Sequence, residues 1–462
     1  MFTLNDIMAQ KPIVKVYYTT FDSIKNDGRV LINEYPQIAE ANIIKEKILI
    51  YPHLKFQTIK GIGGCFNEIG ADVFNQLPVS KKEEIMMRLF DKNVGAGFSF
   101  CRTAVGASDF GLSAYSYSEQ KDDYLMKNFS IQRDEKCLIP YIKAAYRINP
   151  KILLFASPWS PPAWLKQNAS MTGPAANNKL IDKPEIYKTY ALYLSKYIQA
   201  YYRNGITINR LCVQNETDAN VSYPSCEMSP QQMCHFILSY LKPQFVNFNL
   251  KTEIWAGTYR VAEGELKYAG KFEAIELFAS KKLRKSVSGV SMQYTRPQYI
   301  HDFKALYPNV KIMHSESNCF NGENSIEQAK TRFKEVSDYI TSGSENFAYW
   351  NMILNESGKS GWNWKQNSLL NIDKQSSKIV FNPDYTVIAF LSRYLQPGCK
   401  RIAHYTSVNQ PCIAIDNGNE SYTVLIENLT NNVRTCVLQV ANLPDVEVKL
   451  PSNALISILI NI

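Results

Sequence analysis

Eight short apolar runs, each followed by a helix-like stretch, occupy residues 61–352 and restrict what this chain can fold into. They are GIGGCF (61–66), FSFCRT (98–103), KILLFAS (151–157), RLCVQN (210–215), EIWAGT (253–258), SGVSMQY (288–294), VKIMHSES (310–317) and NFAYWNM (346–352). The spacing predicts helices over 80–91, 134–147, 184–202, 229–241, 272–282, 299–306 and 325–341, and an eighth over 384–395 ahead of Pro397-Gly398. Ser229 before Pro230, and SIEQ from Ser325, supply N-caps. Strand and helix alternating eight times is the pattern of an α/β fold of the (β/α)8 TIM-barrel type.

After Gly398 the texture changes to short alternating runs, among them PCIAIDN, SYTVLIEN and ALISILI, punctuated by NGNE and NLTNN. These predict an attached antiparallel β-sandwich. The first 55 residues also hold strand-like pieces, IVKVYYTTF and KILIYP, which either complete that β-domain or precede the barrel as its own edge.

Composition narrows the function. A balance of 51 Lys and Arg against 42 Asp and Glu gives a formal charge of +9, mild for 462 residues, and no dense basic block marks a nucleic-acid surface. Attraction to an anionic membrane surface stays open. The ten Cys include no CxxC pair, and the five His include no HExxH, so free thiols and no metal site are expected. The N-terminus lacks the basic segment and long apolar run of a secretory signal, and no run of about 18 apolar residues predicts a transmembrane helix. That reading leaves a cytoplasmic protein, export by another route, or a signal already removed.

In a (β/α)8 barrel the reacting groups come from the C-terminal ends of the strands. Here those ends carry Glu68, Arg102, Trp159 and Trp164, then Asn215-Glu216, Tyr294, His314 and Glu316, and finally Trp350-Asn351. Glu216 and Glu316, on strands four and seven, would face each other across the barrel mouth, as the acid and the second carboxylate of glycoside hydrolysis must. Asn215 suits the sugar 2-hydroxyl and Arg102 suits a carboxylate. The plain alternative for either Glu alone is a solvated strand end or a salt bridge. His314 shares a strand face with Glu316, and a core His is its default reading.

The chain resembles glycoside hydrolase family 30, the family of the acid β-glucosidases. The resemblance lies in QTIKGIGGCFNEIGADVF, FCRTAVGASDF, LLFASPWSPPAWLKQN, VQNETD, HSESNCF and FAYWNMILNESGKSGWNW, in family order, with LSRYLQPGCKRI after the barrel. It implies a retaining mechanism without a cofactor, with Glu216 as acid/base and Glu316 as nucleophile. It also implies that Asp109, Trp164, Asn215, Tyr294 and Trp350 line the glucose subsite, with Arg102 near the nucleophile. The organisation it implies is 1–55 as N-terminal strands partly completing the sandwich, 56–397 as the catalytic barrel and 398–462 as the C-terminal sandwich. The expected substrate is a β-glucoside, with glucosylceramide first. A family polysaccharide hydrolase acting on β-1,6-glucan or xylan, or a glycan- or lipid-binding protein without activity, are the alternatives. Two positions depart from the family's usual pattern: Thr217 stands where Pro normally follows the acid/base, and Met292-Gln293-Tyr294 stands where the sixth strand normally ends His-Trp-Tyr.

Overall fold

The computed structural model describes residues 12–37, 46–261, 273–441 and 443–462. The remainder of the first 55 residues, and Phe272 at the start of one expected helix, lie outside the described residues. The N-terminal strands are β1 (Ile13–Thr20), β2 (Asn33–Glu34) and β3 (Glu46–Thr58). The eight expected runs are all strands: β4 (Gly61–Phe66), β5 (Phe100–Val105), β6 (Leu153–Pro158), β7 (Arg210–Cys212), β8 (Glu253–Val261), β9 (Gly289–Thr295), β10 (Lys311–His314) and β11 (Asn346–Asn351). They form one parallel sheet in the order β10-β9-β8-β7-β6-β5-β4-β11.

Glycine in β4 has a steric cause. A Cβ at Gly63 would lie 2.2 Å from the Phe100 carbonyl oxygen, and one at Gly64 would lie 2.3 Å from Met352 Cγ. Glycine at these positions leaves room for the β5 backbone and for the Met352 side chain just past β11. The seam between β10 and β11 is closed by a single ladder bridge, Ile312 to Ser344, and then by side chains. Asn346 Nδ2 donates to the His314 carbonyl at 2.7 Å, Asn346 Oδ1 accepts from His314 N–H at 3.2 Å, and His314 Nδ1 accepts from Ala348 N–H at 3.1 Å. His314 is thus a buried structural residue, stacked on Phe347 with ring centroids 4.1 Å apart, and burial holds its imidazole well below its usual range.

Inside the barrel, Phe100, Phe155, Cys212, Trp255, Met313 and Ala348 form one apolar plug. Strand side chains alternate with a period of two, so Arg102, two residues beyond Phe100, sits one layer nearer the C-terminal rim.

The helices follow the expected pattern with local revisions. The 134–147 segment is interrupted at Cys137, giving Gln132–Lys136 and Leu138–Ile148. The 229–241 helix continues through a π segment, Ile237–Leu241, to Asn247. Both expected caps are present: Ser229 accepts from Gln232 N–H, and Ser325 forms a capping box with Gln328. An additional helix, Glu68–Gln76, leaves β4 without a loop because Asn67 caps it through Gly70 N–H.

Beyond the barrel lie a small sheet of β12 (Ile353–Asn355), β13 (Leu370–Ile372) and β14 (Ile379–Phe381), then β15 (Lys400–Thr406), β16 (Cys412–Gly418), β17 (Ser421–Asn428), β18 (Arg434–Val440), β19 (Val446–Leu450) and β20 (Ala454–Asn461). The last six join the N-terminal strands in a nine-stranded sheet, β19-β18-β3-β15-β16-β17-β20-β1-β2, antiparallel except for the β3–β18 pair. This sheet curls around its own core, which includes Val16, Ile48, Ala414, Val424, Leu438 and Ile456. The alternate residues Ile413, Ile415, Leu425 and Leu455 face the other way, into the barrel's core. Strands β16, β17 and β20 are therefore apolar on both faces, which their near-continuous hydrophobic sequence reflects. Among the described residues, no helix is long and apolar enough to cross a membrane.

Because Asn346 satisfies the backbone of His314 at the seam, Asn346→Leu is expected to lower the unfolding free energy by about 2 to 4 kcal/mol. A lower urea midpoint at unchanged slope would report it.

Candidate active site

A cavity of about 850 Å³ opens at the N-terminal end of the barrel strands and is lined by residues such as Tyr202, Arg210 and Glu253. A larger one, about 940 Å³, opens at the C-terminal rim, and Asp109, Trp159, Asn215, Glu216, Tyr294 and Glu316 converge on it. Only the second brings two carboxylates from different strands together with stacking aromatics.

Local backbone distortions point these groups inward. A regular strand would send Asn215 and Glu216 to opposite faces, but Glu216 has φ 41°, and both side chains reach the cavity. Tyr294, with φ 48°, does the same beside Gln293. Positive φ at a non-glycine residue costs on the order of 1 to 3 kcal/mol and concentrates at functional sites. In β8 the register with β9 slips between Ala256 and Tyr259, around Gly257 at φ 96°. This bulge brings Thr258 Oγ1 under the pair, where it donates to Asn215 Oδ1 at 3.1 Å and accepts from Glu216 N–H at 3.0 Å. A second slip, between Tyr349 and Asn351, leaves Trp350 as the extra residue of β11.

Arg102 organises the floor. Its Nη1 donates to Glu316 Oε2 at 2.5 Å and to the Ser315 carbonyl at 3.0 Å, its Nη2 to Asn215 Oδ1 at 2.7 Å, and its Nε to Ser157 Oγ at 3.1 Å. The guanidinium also lies over Trp159 and Trp350, 4.5 and 5.2 Å from the ring centroids. Tyr294 Oη donates to the other oxygen of Glu316 at 2.6 Å. Two donors, one of them cationic, therefore grip Glu316 and match the charge of its carboxylate.

Glu216 has a different environment. Burial pushes its carboxyl up to about 7, with Arg260 pulling it down and Glu316 pushing it up. Arg260 Nη1 lies 3.5 Å from Glu216 Oε2 and is itself paired with Asp218, while Gln293 Nε2 donates to Glu216 Oε1 at 3.2 Å. Asp109 accepts from Trp350 Nε1 at 3.2 Å, and its Oδ1 is buried without a protein partner. Burial, then Glu316 and Glu216, hold the Asp109 carboxyl well above the usual range. An unpartnered buried oxygen at a cavity wall is free to bind a ligand hydroxyl.

The three tryptophans separate clearly. Trp159 lines the cavity, stacked on Trp350 at 5.0 Å. Trp350 is fully buried behind it, and Trp164 donates to the Ser118 carbonyl and meets Tyr124 edge-on. Glu68 does not line the cavity and pairs with Arg133. Arg260 and a stacked pair, Tyr223 on Trp364 at 5.0 Å, line the cavity without a signal in the sequence, and Gln293, marked there only as a departure from the family pattern, reaches Glu216. The WNW motif was visible, yet nothing in it says that Trp364 meets Tyr223. Among the described residues, no group of three or more His, Cys, Asp or Glu is arranged to hold a metal ion.

The Glycosyl hydrolase family 30 TIM-barrel domain matches residues 59–408, and the chain belongs to that family. It is a glycosidase whose substrate is a glycan or glycolipid. It is 27% identical to Putative glucosylceramidase 3 of Caenorhabditis elegans over 411 residues, 83% of this chain and 76% of that protein. It is 30% identical to an endo-1,6-beta-D-glucanase of Neurospora crassa over 210 residues, 44% of this chain and 43% of that one. Its fold matches the crystal structure of SrfJ from Salmonella typhimurium with a TM-score of 0.86 at 24% identity, covering 97% of this chain and 100% of that one.

The burial of Glu216 has a thermodynamic sign. A carboxyl at about 7 when folded and near 4.5 otherwise keeps its proton longer in the native state, so stability falls as pH rises from 4.5 through 7. Glu216→Gln removes that ionisation. It is expected to stabilise the protein at pH 8 relative to pH 4.5 by an amount on the order of 1 to 3 kcal/mol, measurable by urea unfolding at both values.

Proposed function

We propose that the protein is a retaining β-glucoside hydrolase acting through Glu316 as nucleophile and Glu216 as acid/base. The observation that carries this is the asymmetry of two carboxylates in one cavity: Glu316 is gripped by Arg102 and Tyr294, whereas burial pushes Glu216 up to about 7. Burial that favours the protonated form suits Glu216 to give a proton, and two donors on Glu316 suit it to the nucleophile's place.

In the first step Glu316 attacks the anomeric carbon as Glu216 gives its proton to the departing oxygen, leaving a glycosyl ester on Glu316. In the second, Glu216 takes a proton from water, which attacks the same carbon and releases Glu316, so configuration is retained. Asn215 spends Oδ1 on Arg102 and Thr258, which turns its amide N–H toward the cavity as a donor for the sugar 2-hydroxyl. Trp159 lines the wall beside the sugar ring and Asp109 Oδ1 accepts a hydroxyl. Arg102 and Trp350 act from behind, and Trp164 braces the loop after β6.

Glucosylceramide is the aglycone-bearing substrate we place first, because the match to a protein named as a glucosylceramidase spans most of both chains. A β-1,6-glucan is the second reading. It is favoured by the Tyr223–Trp364 pair and by Arg296, Gln298 and Asp338 along the same cavity, which suit further sugar units. Parallel assays on the lipid and the glucan separate the two, and turnover of the glucan alone would overturn the first.

Glu316→Gln is expected to abolish turnover and labelling by a mechanism-based β-glucoside inactivator, and full activity would remove the nucleophile assignment. With a poor leaving group, kcat/KM of the native enzyme should fall as pH rises through about 7, as Glu216 loses its proton.

A further inference from the structure

Where the family resemblance implies a tryptophan at the end of the sixth barrel strand, this chain has Gln293, wholly buried. Its amide is used at both ends. Ser315 Oγ donates to Gln293 Oε1 at 2.8 Å, and Gln293 Nε2 donates to Glu216 Oε1 at 3.2 Å. Ser315 thereby anchors the amide with its nitrogen toward Glu216. An indole has one donor and no acceptor, so it could not bridge these two residues.

Ser315 is not an isolated partner. It precedes Glu316, and its carbonyl accepts from Arg102. The bridge therefore ties one carboxylate's strand end to the other carboxylate. Glu216 Oε1 is occupied by an amide donor, which leaves Oε2, the oxygen that Arg260 approaches at 3.5 Å, to carry the titrating proton. The charged and titratable groups facing Glu216 are Arg260 from β8, Tyr294 from β9, Glu316 after β10, Asp109 after β5, and Asp218 and Tyr223 from its own loop. That loop is tied down at its other departure from the family pattern, where Thr217 Oγ1 donates to Glu273 Oε2 at 3.0 Å.

We propose that Gln293 is a positioning residue: held by Ser315, it confines the Glu216 proton to Oε2 and sets the pH at which that proton is given up. This rests on Glu216 being the acid/base. Gln293→Met keeps the length and removes the donor. For a phenyl β-glucoside, whose departure needs a proton, kcat/KM is expected to fall about 10- to 100-fold, against about threefold or less for a dinitrophenyl β-glucoside. The alkaline limb of the phenyl profile should move to higher pH, because a hydrogen bond that favours the carboxylate form is gone. Gln293→Glu should move it further, by placing a second carboxylate beside Glu216.

Ser315→Ala, which leaves Gln293 in place but unpinned, should give a smaller shift in the same direction and guards against a misfolded Gln293→Met protein. Equal losses on both substrates, or an unmoved limb in folded variants, would overturn the role of Gln293. Glu216→Gln assayed alongside separates the two levels of inference. If it too shows no leaving-group dependence, the acid/base reading fails with it; if it alone shows the dependence, only the role of Gln293 fails.

Discussion

A cation buried in a barrel must be answered by its surroundings, and Arg102 is answered on every side. Burying an unpaired guanidinium would cost several kcal/mol. Here one carboxylate, one amide oxygen, one hydroxyl, one carbonyl and two indole faces meet it. These partners come from the ends of four strands, β6, β7, β10 and β11, so satisfying Arg102 orients Glu316, Asn215, Ser157 and the Trp159–Trp350 stack together. Loss of any one partner would leave the others aimed at a poorly compensated charge.

Around this fixed centre the strand ends are irregular. Left-handed backbone at Tyr294 near the end of β9 and at Glu216 just beyond β7, and slips in register around Gly257 in β8 and at Trp350 in β11, surround the cavity. A regular sheet presents every second side chain to one face. Breaking the alternation places neighbours such as Asn215 and Glu216 in one cavity, beyond the apolar plug that fills the barrel.

Much of this was legible in the sequence, for identifiable reasons. The eight strands announced themselves because each is a short apolar run bounded by polar residues, and Glu216 and Glu316 stood out as acids at two such ends. The helix Glu68–Gln76 was hidden because Asn67 caps it directly from β4, leaving no turn signal between the two. Trp159 and Trp164 both follow the third barrel strand, and only the course of the loop decides that Trp159 faces the cavity. Arg260 lies beyond a bulge that periodicity cannot detect. Gln293 was noticed as an unusual residue, but its bond to Glu216 spans 77 residues of sequence and belongs to the closed barrel. Pattern reports local alternation, whereas contacts across the rim depend on which strands become neighbours.

The nine-stranded sheet joins the two ends of the described chain: β1 pairs along its whole length with β20, and β3 lies between β15 and β18. A ribosome making this protein therefore emits β1 and β3 long before their partners exist. Contacts so distant in sequence form late, so the early strands must wait, unpaired, while the barrel assembles. Chaperone demand during synthesis should then fall on these first strands, whose exposed edges invite pairing with the wrong chain.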